Sequence, residues 1–426
     1  MTRVLLVATT TGYQTRAFGD AAARLGVELV FATDRCAVLD DPWRDAAIPV
    51  RFHNPASSVR RIAAANQTTP FAAVVAVGDR PAVLAARARE ALGLRGHPSD
   101  GAEAARNKLT TRERLRAAGL PTPQFQVAPA GTAALELAAA ATWPAVLKPV
   151  ALSGSRGVMR VNDARELDTA LGRLRTLLAR PELRAERDQV HGLVLLESFI
   201  EGHEYALEGL MTDGRLQVLA IFDKPDPLDG PFFEETLYIT LPDLGTGLAR
   251  RMTDAVEAAA LAVGLRHGPV HAECRVNDDG VFVLETAARP IGGLCARSLR
   301  FRDPVRPEPI ALEELLLRHA LGEDVRPWGR EPEVSGVMMI PIPKRGLFRR
   351  ADGLETARAV AGVTDVVLTA KPDQVLVPLP EGASYLGFIF ARGATSAEVD
   401  HALREAHRAL VFTIDPEVPV LQSGHG

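Results

Sequence analysis

The sequence predicts an α/β protein that begins with a doubly wound parallel sheet and continues with α+β lobes. Unbroken apolar runs at 3–9, 27–32 and 72–77 alternate with helix-like segments, and buried parallel strands have this pattern. The chain has 426 residues, which is too long for one compact core. We therefore expect an N-terminal Rossmann-like domain at residues 1–100, followed by further domains.

The ends of these strands indicate where a ligand could bind. Open parallel sheets bind ligands beyond the carboxyl ends of their strands. The loops that follow the first and third runs are Thr9–Gly12 and Gly78–Arg80, so both are candidate binding loops. The chain contains no G-x-G-x-x-G motif, and the dinucleotide fingerprint is therefore absent.

The rest of the chain reads as α+β. One helix is predicted from Ser99 or Asp100 to Ala118, where a glycine and two prolines follow. Strands are expected at 145–150, 158–161 and 193–197, and a helix at 248–263. The last segment has its own strand patterns and a closing helix near 397–410. We expect a central domain at 101–330, with a small lobe at about 121–200 and a large lobe at about 201–330, and a C-terminal α+β domain at 331–426.

Composition excludes several classes of protein. Lys and Arg number 49 against 53 Asp and Glu, and no basic run occurs, so no nucleic-acid partner is expected. Cys36, Cys274 and Cys295 have neither metal-site spacing nor a disulfide framework. No apolar run is long enough for a membrane span, and the N-terminus lacks the pattern of a signal peptide. The expected location is cytoplasmic.

The segment His271–Gly293 predicts a hairpin with two opposed acids. Asp278–Gly280 reads as a three-residue turn, and in that register Glu273 faces Glu285. Like charges directly across a strand pair repel each other, unless a cation such as Mg²⁺ lies between the carboxylates. Arg289 follows on the Glu285 side and could bind a phosphate with two N–H groups. An ordinary hairpin with solvated acids is the alternative.

A second candidate site lies upstream, around a glycine-containing loop. Ser153–Gly157 follows Lys148, and small residues there would let backbone N–H groups approach phosphates. It is not a P-loop, because no G-x-x-x-x-G-K-[ST] motif occurs. The alternatives are a simple hairpin loop and a snorkelling Lys148. Glu197 and Glu204 are either contacts to a base and a ribose or two surface acids.

The order of these features resembles the ATP-grasp superfamily, over roughly Met1–Gly322. The motifs are RNKLTTRERL, VLKPVALSGSRG, LLESFIEGHEY and HAECRVNDDGVFVLETAARPIGG. The resemblance implies ATP as cosubstrate, with Mg²⁺ or Mn²⁺. It assigns the phosphates to Lys108, Lys148, Ser153, Gly154, Ser155 and Gly157, and with less support to Lys224; the adenine to Glu197, Ile200 and Leu284; the ribose to Glu204; and the metal to Glu273 and Glu285.

One departure narrows the resemblance. Many members have Asn two residues after the second metal-binding Glu, where this chain has Ala287. The form E-x-A-x-R-x-x-G-G is similar to the L-amino acid ligase subgroup, and the final segment extends that likeness over nearly the whole chain. In that subgroup Arg289 would contact an acyl phosphate, with Glu285 and Lys224 as its catalytic neighbours. Substrate contacts would come from Glu235, His271, Gly292, Gly293 and Leu294.

The resemblance implies an ATP-dependent ligase that forms a C–N bond of the acid–amino-acid type. A substrate carboxylate would take the γ-phosphate, and an amine would then attack the acyl phosphate. The partners are small carboxylate and amine substrates, expected to be amino acids, and a homodimer is compatible with the family. Glu234, Glu235 and His271 are candidate general bases. Two alternatives are a ligase of nucleotide-precursor or carboxylation metabolism and a non-catalytic nucleotide-binding regulator.

Overall fold

The computed structural model of the protein describes residues 1–9, 14–34, 47–243 and 246–417, except for the side chains of 306 and 307. Cys36 and the part of the first candidate loop after Thr9 lie outside these residues. Within them the α/β class predicted from the sequence is confirmed.

The N-terminal domain is a parallel sheet covered by helices. Its elements are β1 Arg3–Ala8, α1 Thr15–Leu25, β2 Glu28–Thr33, β3 Ile48–Pro49, α2 Pro55–Thr68, β4 Ala73–Val77 and α3 Asp79–Leu92. The order is β3-β2-β1-β4, with every pair parallel. Alternate side chains of β1 enter two different cores: Leu5 packs with Ile62 and Leu84, whereas Leu6 packs with Phe18. The sheet is therefore buried on both faces, which explains its unbroken apolar runs.

The prediction of a single helix from Ser99 or Asp100 to Ala118 is wrong, because the helix is interrupted at Asn107. The structure has α4 Ser99–Arg106 and α5 Lys108–Ala117. Asn107 has extended backbone angles, and its Oδ1 accepts the N–H of Thr110 at 3.1 Å, as an N-cap does. Lys108 therefore begins a helix, and its N–H donates to Val150 O at 2.9 Å.

The small lobe is an antiparallel sheet with one long helix. Its elements are β5 Phe125–Pro129, α6 Ala134–Ala138, β6 Ala145–Pro149, β7 Met159–Val161, α7 Ala164–Leu178, α8 Pro181–Arg184 and β8 Leu193–Ser198. The strand order is β5-β8-β6-β7. The apolar side of α7, with Leu167, Leu171 and Leu174, is buried in the core of this lobe.

The large lobe and the C-terminal segment share one sheet. The large-lobe elements are β9 His203–Thr212, β10 Arg215–Asp223, β11 Leu237–Thr240, α9 Gly247–Val263, β12 Gly268–Asn277, β13 Gly280–Ala287, β14 Arg300–Asp303, β15 Arg306–Ala311, α10 Leu312–Ala320 and β16 Gly329–Arg330. The C-terminal elements are β17 Val334–Ile340, β18 Gly346–Asp352, α11 Leu354–Arg358, β19 Val363–Leu368, β20 Val375–Leu376, β21 Gly387–Gly393, α12 Ser396–Arg408 and β22 Val411–Asp415. The eight-stranded sheet has the order β13-β12-β9-β10-β11-β17-β21-β19. The strand patterns read in the last segment thus continue the large-lobe sheet.

Three histidines meet where the N-terminal domain joins the large lobe. His97 Nδ1 accepts the backbone N–H groups of Arg266 and His267 at 3.0 and 3.2 Å, and its Nε2 donates to Pro269 O at 2.9 Å. The rings of His267 and His319 stack at 4.5 Å. Burial lowers the pKa of His97 to about 3 and that of His319 to about 4, and arginine charges nearby act in the same direction.

We therefore expect the protein to lose stability in mild acid. Below pH 6.5 the unfolded chain binds protons at these histidines that the folded chain does not bind. The free energy of unfolding therefore decreases as the pH is lowered. Each site should contribute about 1.4 kcal/mol per pH unit between its unfolded and folded pKa values. Urea titrations from pH 7 to 4.5 would measure this slope. His319→Gln should flatten it, whereas the exposed His401→Gln should not; equal slopes in all three proteins would contradict the prediction.

Candidate active site

The lobes enclose a cavity of about 530 Å³. Side chains of the N-terminal domain, both lobes and the C-terminal segment line it. Of the predicted site residues, those in the lining are Lys108, Lys148, Ser153, Gly154, Ser155, Glu197, Ile200, Glu204, Glu235, His271, Glu273, Leu284, Glu285, Arg289, Gly292 and Gly293. Gly157, Lys224 and Leu294 lie outside the lining, and so does Glu234. The widely separated motifs therefore meet at one place.

The predicted pairing of Glu273 with Glu285 is confirmed, but the predicted turn is wrong. Asn277 pairs with Gly280, so the turn has two residues rather than three. A bulge between Glu273 and Cys274 then shifts the register by one residue at Leu284 and restores the opposition of the two acids. A bulge re-aims side chains, and here both Leu284 and Glu285 line the cavity.

Lys148 is held in a buried ion-pair cluster rather than snorkelling to solvent. Its Nζ pairs with Glu197, whose carboxylate also accepts from Arg112 Nε at 2.7 Å. Arg112 is fully buried and donates to Leu284 O at 2.7 Å. Burial lowers the pKa of Lys148 to about 8, against the opposite effect of Glu197. Glu197 is therefore not a surface acid, and sequence reasoning missed Arg112, although it lies in the quoted RNKLTTRERL motif.

Lys108 is the second lysine that lines the cavity. Its Nζ donates to Leu152 O at 2.6 Å and is 3.5 Å from Glu285 Oε2. The lysine thus connects the residues before the glycine loop to the acid-bearing hairpin. It is only partly exposed, so it is not the solvated helix residue that the helical pattern alone would suggest.

Lys224 lies beneath the lining, inside a cluster of acids. Its Nζ is 2.9 Å from Glu204, 2.6 Å from Glu235 and 3.4 Å from Glu273, and ligand oxygens of these three acids lie within 4.8 Å of one another. Burial together with Glu273 raises the pKa of Glu235 to about 7. Although burial acts against it, Lys224 holds the pKa of Glu273 well below its usual range. Arg275 also pairs with Glu204 at 3.0 Å, and His271 Nε2 lies 3.8 Å from Glu273, so cationic side chains balance much of the negative charge of these acids.

Arg275 was also missed, although it follows Glu273 by two residues on the same face of β12. Its Nε donates to Glu204 at 3.0 Å and its Nη1 to Ile200 O at 2.8 Å. Its guanidinium carbon is 4.7 Å from the centre of the Phe199 ring. Period-two alternation from Glu273 could have found this residue. Glu204 is thus bound on two sides, by Lys224 and Arg275.

The loop after the hairpin is fixed by residues from two domains. Arg289 Nε donates to Asp79 Oδ1 at 2.6 Å. Ile291 N–H donates to the buried Glu208 at 3.1 Å, and Ile291 O accepts from Gln14 at 2.7 Å. His271 Nδ1 is 3.2 Å from Glu208, and the neighbouring acids raise the pKa of His271 to about 9 although burial opposes this.

The glycine loop contacts the C-terminal segment at Glu381. Gly157 N–H donates to Pro380 O at 2.7 Å, so this N–H, which was predicted to approach a phosphate, is bound to the protein's own backbone. Arg156 Nε donates to Glu381 O at 3.1 Å, and Arg173 binds the Glu381 carboxylate at 2.8 and 3.0 Å. The C-terminal segment therefore holds the loop predicted to cover phosphates.

The Glu381 carboxylate binds Arg173 of α7 and so helps to fix the Pro380 and Glu381 carbonyls that accept from the glycine loop. Because a partly exposed ion pair contributes about 1 kcal/mol, we expect Glu381→Ala to loosen the loop and to weaken nucleotide binding about fivefold. Calorimetric titration with ADP would measure this. Glu355→Ala removes an exposed ion pair to Arg358 in the same segment and should leave the affinity unchanged. Equal affinities of Glu381→Ala and the unchanged protein would contradict the prediction.

Comparison with known proteins identifies the family. Residues 141–298 match the ATP-grasp domain, and residues 19–96 match the ATP-grasp N-terminal domain. The chain has the ATP-grasp fold. Residues 338–415 of this ATP-grasp protein match the L-amino acid ligase C-terminal domain 2, which is the segment that continues the large-lobe sheet.

Individual relatives agree with this assignment. The structure of an L-amino acid ligase from Bacillus licheniformis superposes with a TM-score of 0.81 at 28% identity, over 97% of this chain and 99% of that chain. An uncharacterized protein, y4rH, of Sinorhizobium fredii is 28% identical over 76% of this chain and 64% of its own length. Alanine–anticapsin ligase of Bacillus subtilis is 28% identical over 49% of this chain and 46% of its own length. The matches thus span less than two thirds of these two curated relatives.

Among the described residues, the ATP-grasp protein has no helix with the length and apolar character needed to cross a bilayer.

Proposed function

We propose that the protein is an ATP-dependent carboxylate–amine ligase that joins two amino acids or close analogues and releases ADP and phosphate. One observation carries the proposal. The cavity that holds the lysines, acids and Arg289 is also lined by Met339 and Tyr385, which belong to the segment that matches the L-amino acid ligase domain. The residues proposed to bind the nucleotide and residues of the segment that matches the L-amino acid ligase domain therefore line the same cavity.

The residues present fit ATP. Lys108, Lys148 and the glycine loop line one part of the cavity and supply positive charge and backbone N–H groups for phosphates. Val146, Phe199 and Leu284 line an apolar part that suits a purine. These positions support the site residues predicted from the sequence, and we propose them as the nucleotide site.

The residues also fit Mg²⁺ or Mn²⁺. Glu273 and Glu285 oppose each other across the hairpin, and carboxylate oxygens are ligands that both ions accept. When bound, such an ion neutralises phosphate charge. Glu273 also belongs to the cluster around Lys224. Lys224 therefore balances part of the negative charge of this proposed metal ligand.

Two steps account for the proposed reaction. An oxygen of the substrate carboxylate attacks the γ-phosphorus, the bond to the β,γ-bridging oxygen breaks, and ADP leaves. The amine nitrogen then attacks the acyl carbon, and phosphate leaves with the bonding electrons. Catalysis of such transfers consists mainly of positioning and charge neutralisation. Arg289 supplies charge at the transferring group. Of the candidate bases that line the cavity, Glu235 is the one that can accept the amine proton, because His271, with a pKa raised to about 9, already carries a proton near neutral pH.

A pairwise screen of amino acids with MgATP tests the proposal. We expect ADP and phosphate in equal amounts with certain pairs, together with a product whose mass is the sum of the two substrates less one water. Single amino acids and reactions without ATP are the controls. Release of AMP and pyrophosphate would contradict the acyl-phosphate route. Nucleotide binding without ADP release from any pair would favour the non-catalytic alternative, and turnover with bicarbonate or formate would favour the other ligase class.

A further inference from the structure

The N-terminal domain places a carboxylate against Arg289. Asp79 is the first residue of α3 and follows Gly78, whose φ of +97° lies in the region that favours glycine. Asp79 Oδ1 accepts from Arg289 Nε at 2.6 Å, and Oδ2 accepts from Nη2 at 3.4 Å. Both side chains are largely buried, with 20% and 11% exposed, and both line the cavity.

The donors of Arg289 are only partly used by this pair. A guanidinium has five N–H donors in a rigid plane. Asp79 takes one on Nε and one on Nη2, and Pro290 O takes one on Nη1 at 3.0 Å. Each Nη keeps one further N–H, and two such donors match the bidentate geometry of a phosphate. The carboxylate therefore fixes the plane of the guanidinium without using the donors that a phosphoryl group needs.

Other contacts of the N-terminal domain act on the same segment. Gln14 donates to Ile291 O at 2.7 Å, so this domain holds the loop at two points. Ser153 of the glycine loop and the charge of Lys108 also act on Asp79, and both lower the pKa of its carboxyl group. Burial favours a neutral Asp79, but Arg289 outweighs this effect and keeps the pKa of Asp79 below its usual value. Asp79 is thus an anion among the predicted phosphate-binding groups.

We propose that Asp79 is a positioning residue of the ligase reaction, which acts through Arg289 by holding its two remaining donors toward the transferring phosphoryl group. This inference rests on the proposed function. It gives the N-terminal domain a direct part in the chemistry, because removal of Asp79 would leave a long, flexible side chain free to adopt other rotamers.

A double-mutant cycle separates this role from a general structural one. The variants are Asp79→Asn, Arg289→Ala and the double variant, assayed for amino-acid-dependent ADP release. We expect Asp79→Asn to lower kcat about tenfold and to raise the KM for ATP by a smaller factor, and the double variant to be no slower than Arg289→Ala alone, because residues that act as a unit are not additive. A double variant slower than Arg289→Ala by the full Asp79→Asn factor would overturn the proposal, and so would an unchanged kcat in Asp79→Asn.

The control is Glu186→Gln. Glu186 pairs with Arg80, the residue after Asp79, at 3.3 Å, and within the part of the chain that the structure describes it forms no ion pair or hydrogen bond with Arg289. It should leave kcat unchanged. If Asp79→Asn also shifts the melting temperature, the cycle is repeated with Asp79→Glu, which keeps the charge; we expect its kcat to lie between those of Asp79→Asn and the unchanged protein, and a kcat no higher than that of Asp79→Asn would overturn the proposal.

A second readout does not need the amino acid substrates. If no pair of amino acids releases ADP, the proposed function fails, and the inference is decided by nucleotide binding. The affinity for a non-hydrolysable ATP analogue, relative to that for ADP, should fall by the same factor in Arg289→Ala and the double variant, and by a smaller factor in Asp79→Asn. An unchanged ratio in Asp79→Asn would overturn the inference.

Discussion

Arg289→Ala is expected to lower kcat for ADP release about a thousandfold, the scale on which a charge at a transferring phosphoryl group acts. The side chain lies in the cavity with its plane fixed by Asp79, so it needs little rearrangement during the reaction. The KM for ATP should change by far less, because Lys108 and Lys148 remain. A coupled ADP assay at saturating substrates would measure both constants.

Lysine at the same position should restore little of this activity. An ammonium is a point charge and cannot donate in one plane to both Asp79 and a phosphate. We therefore expect Arg289→Lys to remain at least about a hundredfold slower than the unchanged protein. Arg326→Ala removes an exposed arginine that pairs with Asp324, and it should be fully active. An Arg289→Ala protein within threefold of the control would refute the assignment.

Sequence reasoning performed best where the pattern was local. The opposition of Glu273 and Glu285 depends on two adjacent strands of one hairpin, and the structure has it. The predicted length of the turn was nevertheless wrong. The turn is one residue shorter than predicted, and the unpredicted bulge at Leu284 adds one residue back, so the two errors in register cancel at Glu285. A bulge leaves little trace in a sequence, since it changes register without changing composition.

The break at Asn107 was detectable. Asn followed by a helical segment is a known start signal, but the apolar pattern runs through Asn107 and suggested one helix. The break matters for the site, because it turns Lys108 toward Val150 and Leu152.

The partners of the charged residues could not be predicted. Arg112 meets Glu197, and Asp79 meets Arg289, across 85 and 210 residues of chain. Periodicity carries no information about such pairs, since they depend on how the domains pack. The resemblance to the family gave each predicted residue a place but gave no indication of Arg112 or Arg275, and Asp79 was predicted only as part of the candidate binding loop Gly78–Arg80, where it does line the cavity.

The hairpin acids lead to the second large effect. We expect Glu285→Gln to lower kcat at least about a hundredfold, since even indirect partners of a metal ligand have effects of about ten- to a hundredfold. The amide keeps the shape of the side chain but loses the charge that suits Mg²⁺. Glu273→Gln should have a similar effect, with an added disturbance of the buried cluster around Lys224.

Glu285→Gln should barely change the stability of the metal-free protein. Glu285→Gln removes repulsion from Glu273, which favours folding, and also removes the attraction to Lys108 at 3.5 Å, which opposes it. Both terms are below about 1 kcal/mol at a partly exposed site, so the melting temperature in EDTA should stay nearly constant. Loss of activity without loss of stability would separate a ligand role from a structural one.

Metal linkage provides the decisive measurement. Because ligands that bind only the folded state raise its stability, Mg²⁺ added in the presence of ADP should raise the melting temperature of the unchanged protein, but not that of Glu285→Gln. Asp278→Asn is the matched control, since Asp278 is an exposed acid in the turn of the same hairpin, and it should keep the full Mg²⁺ response. If Glu285→Gln responded to Mg²⁺ as strongly as Asp278→Asn, the opposed acids would not bind the metal, and the like charges of the hairpin would be balanced by neighbouring side chains instead, Lys108 beside Glu285 and Lys224 and His271 beside Glu273.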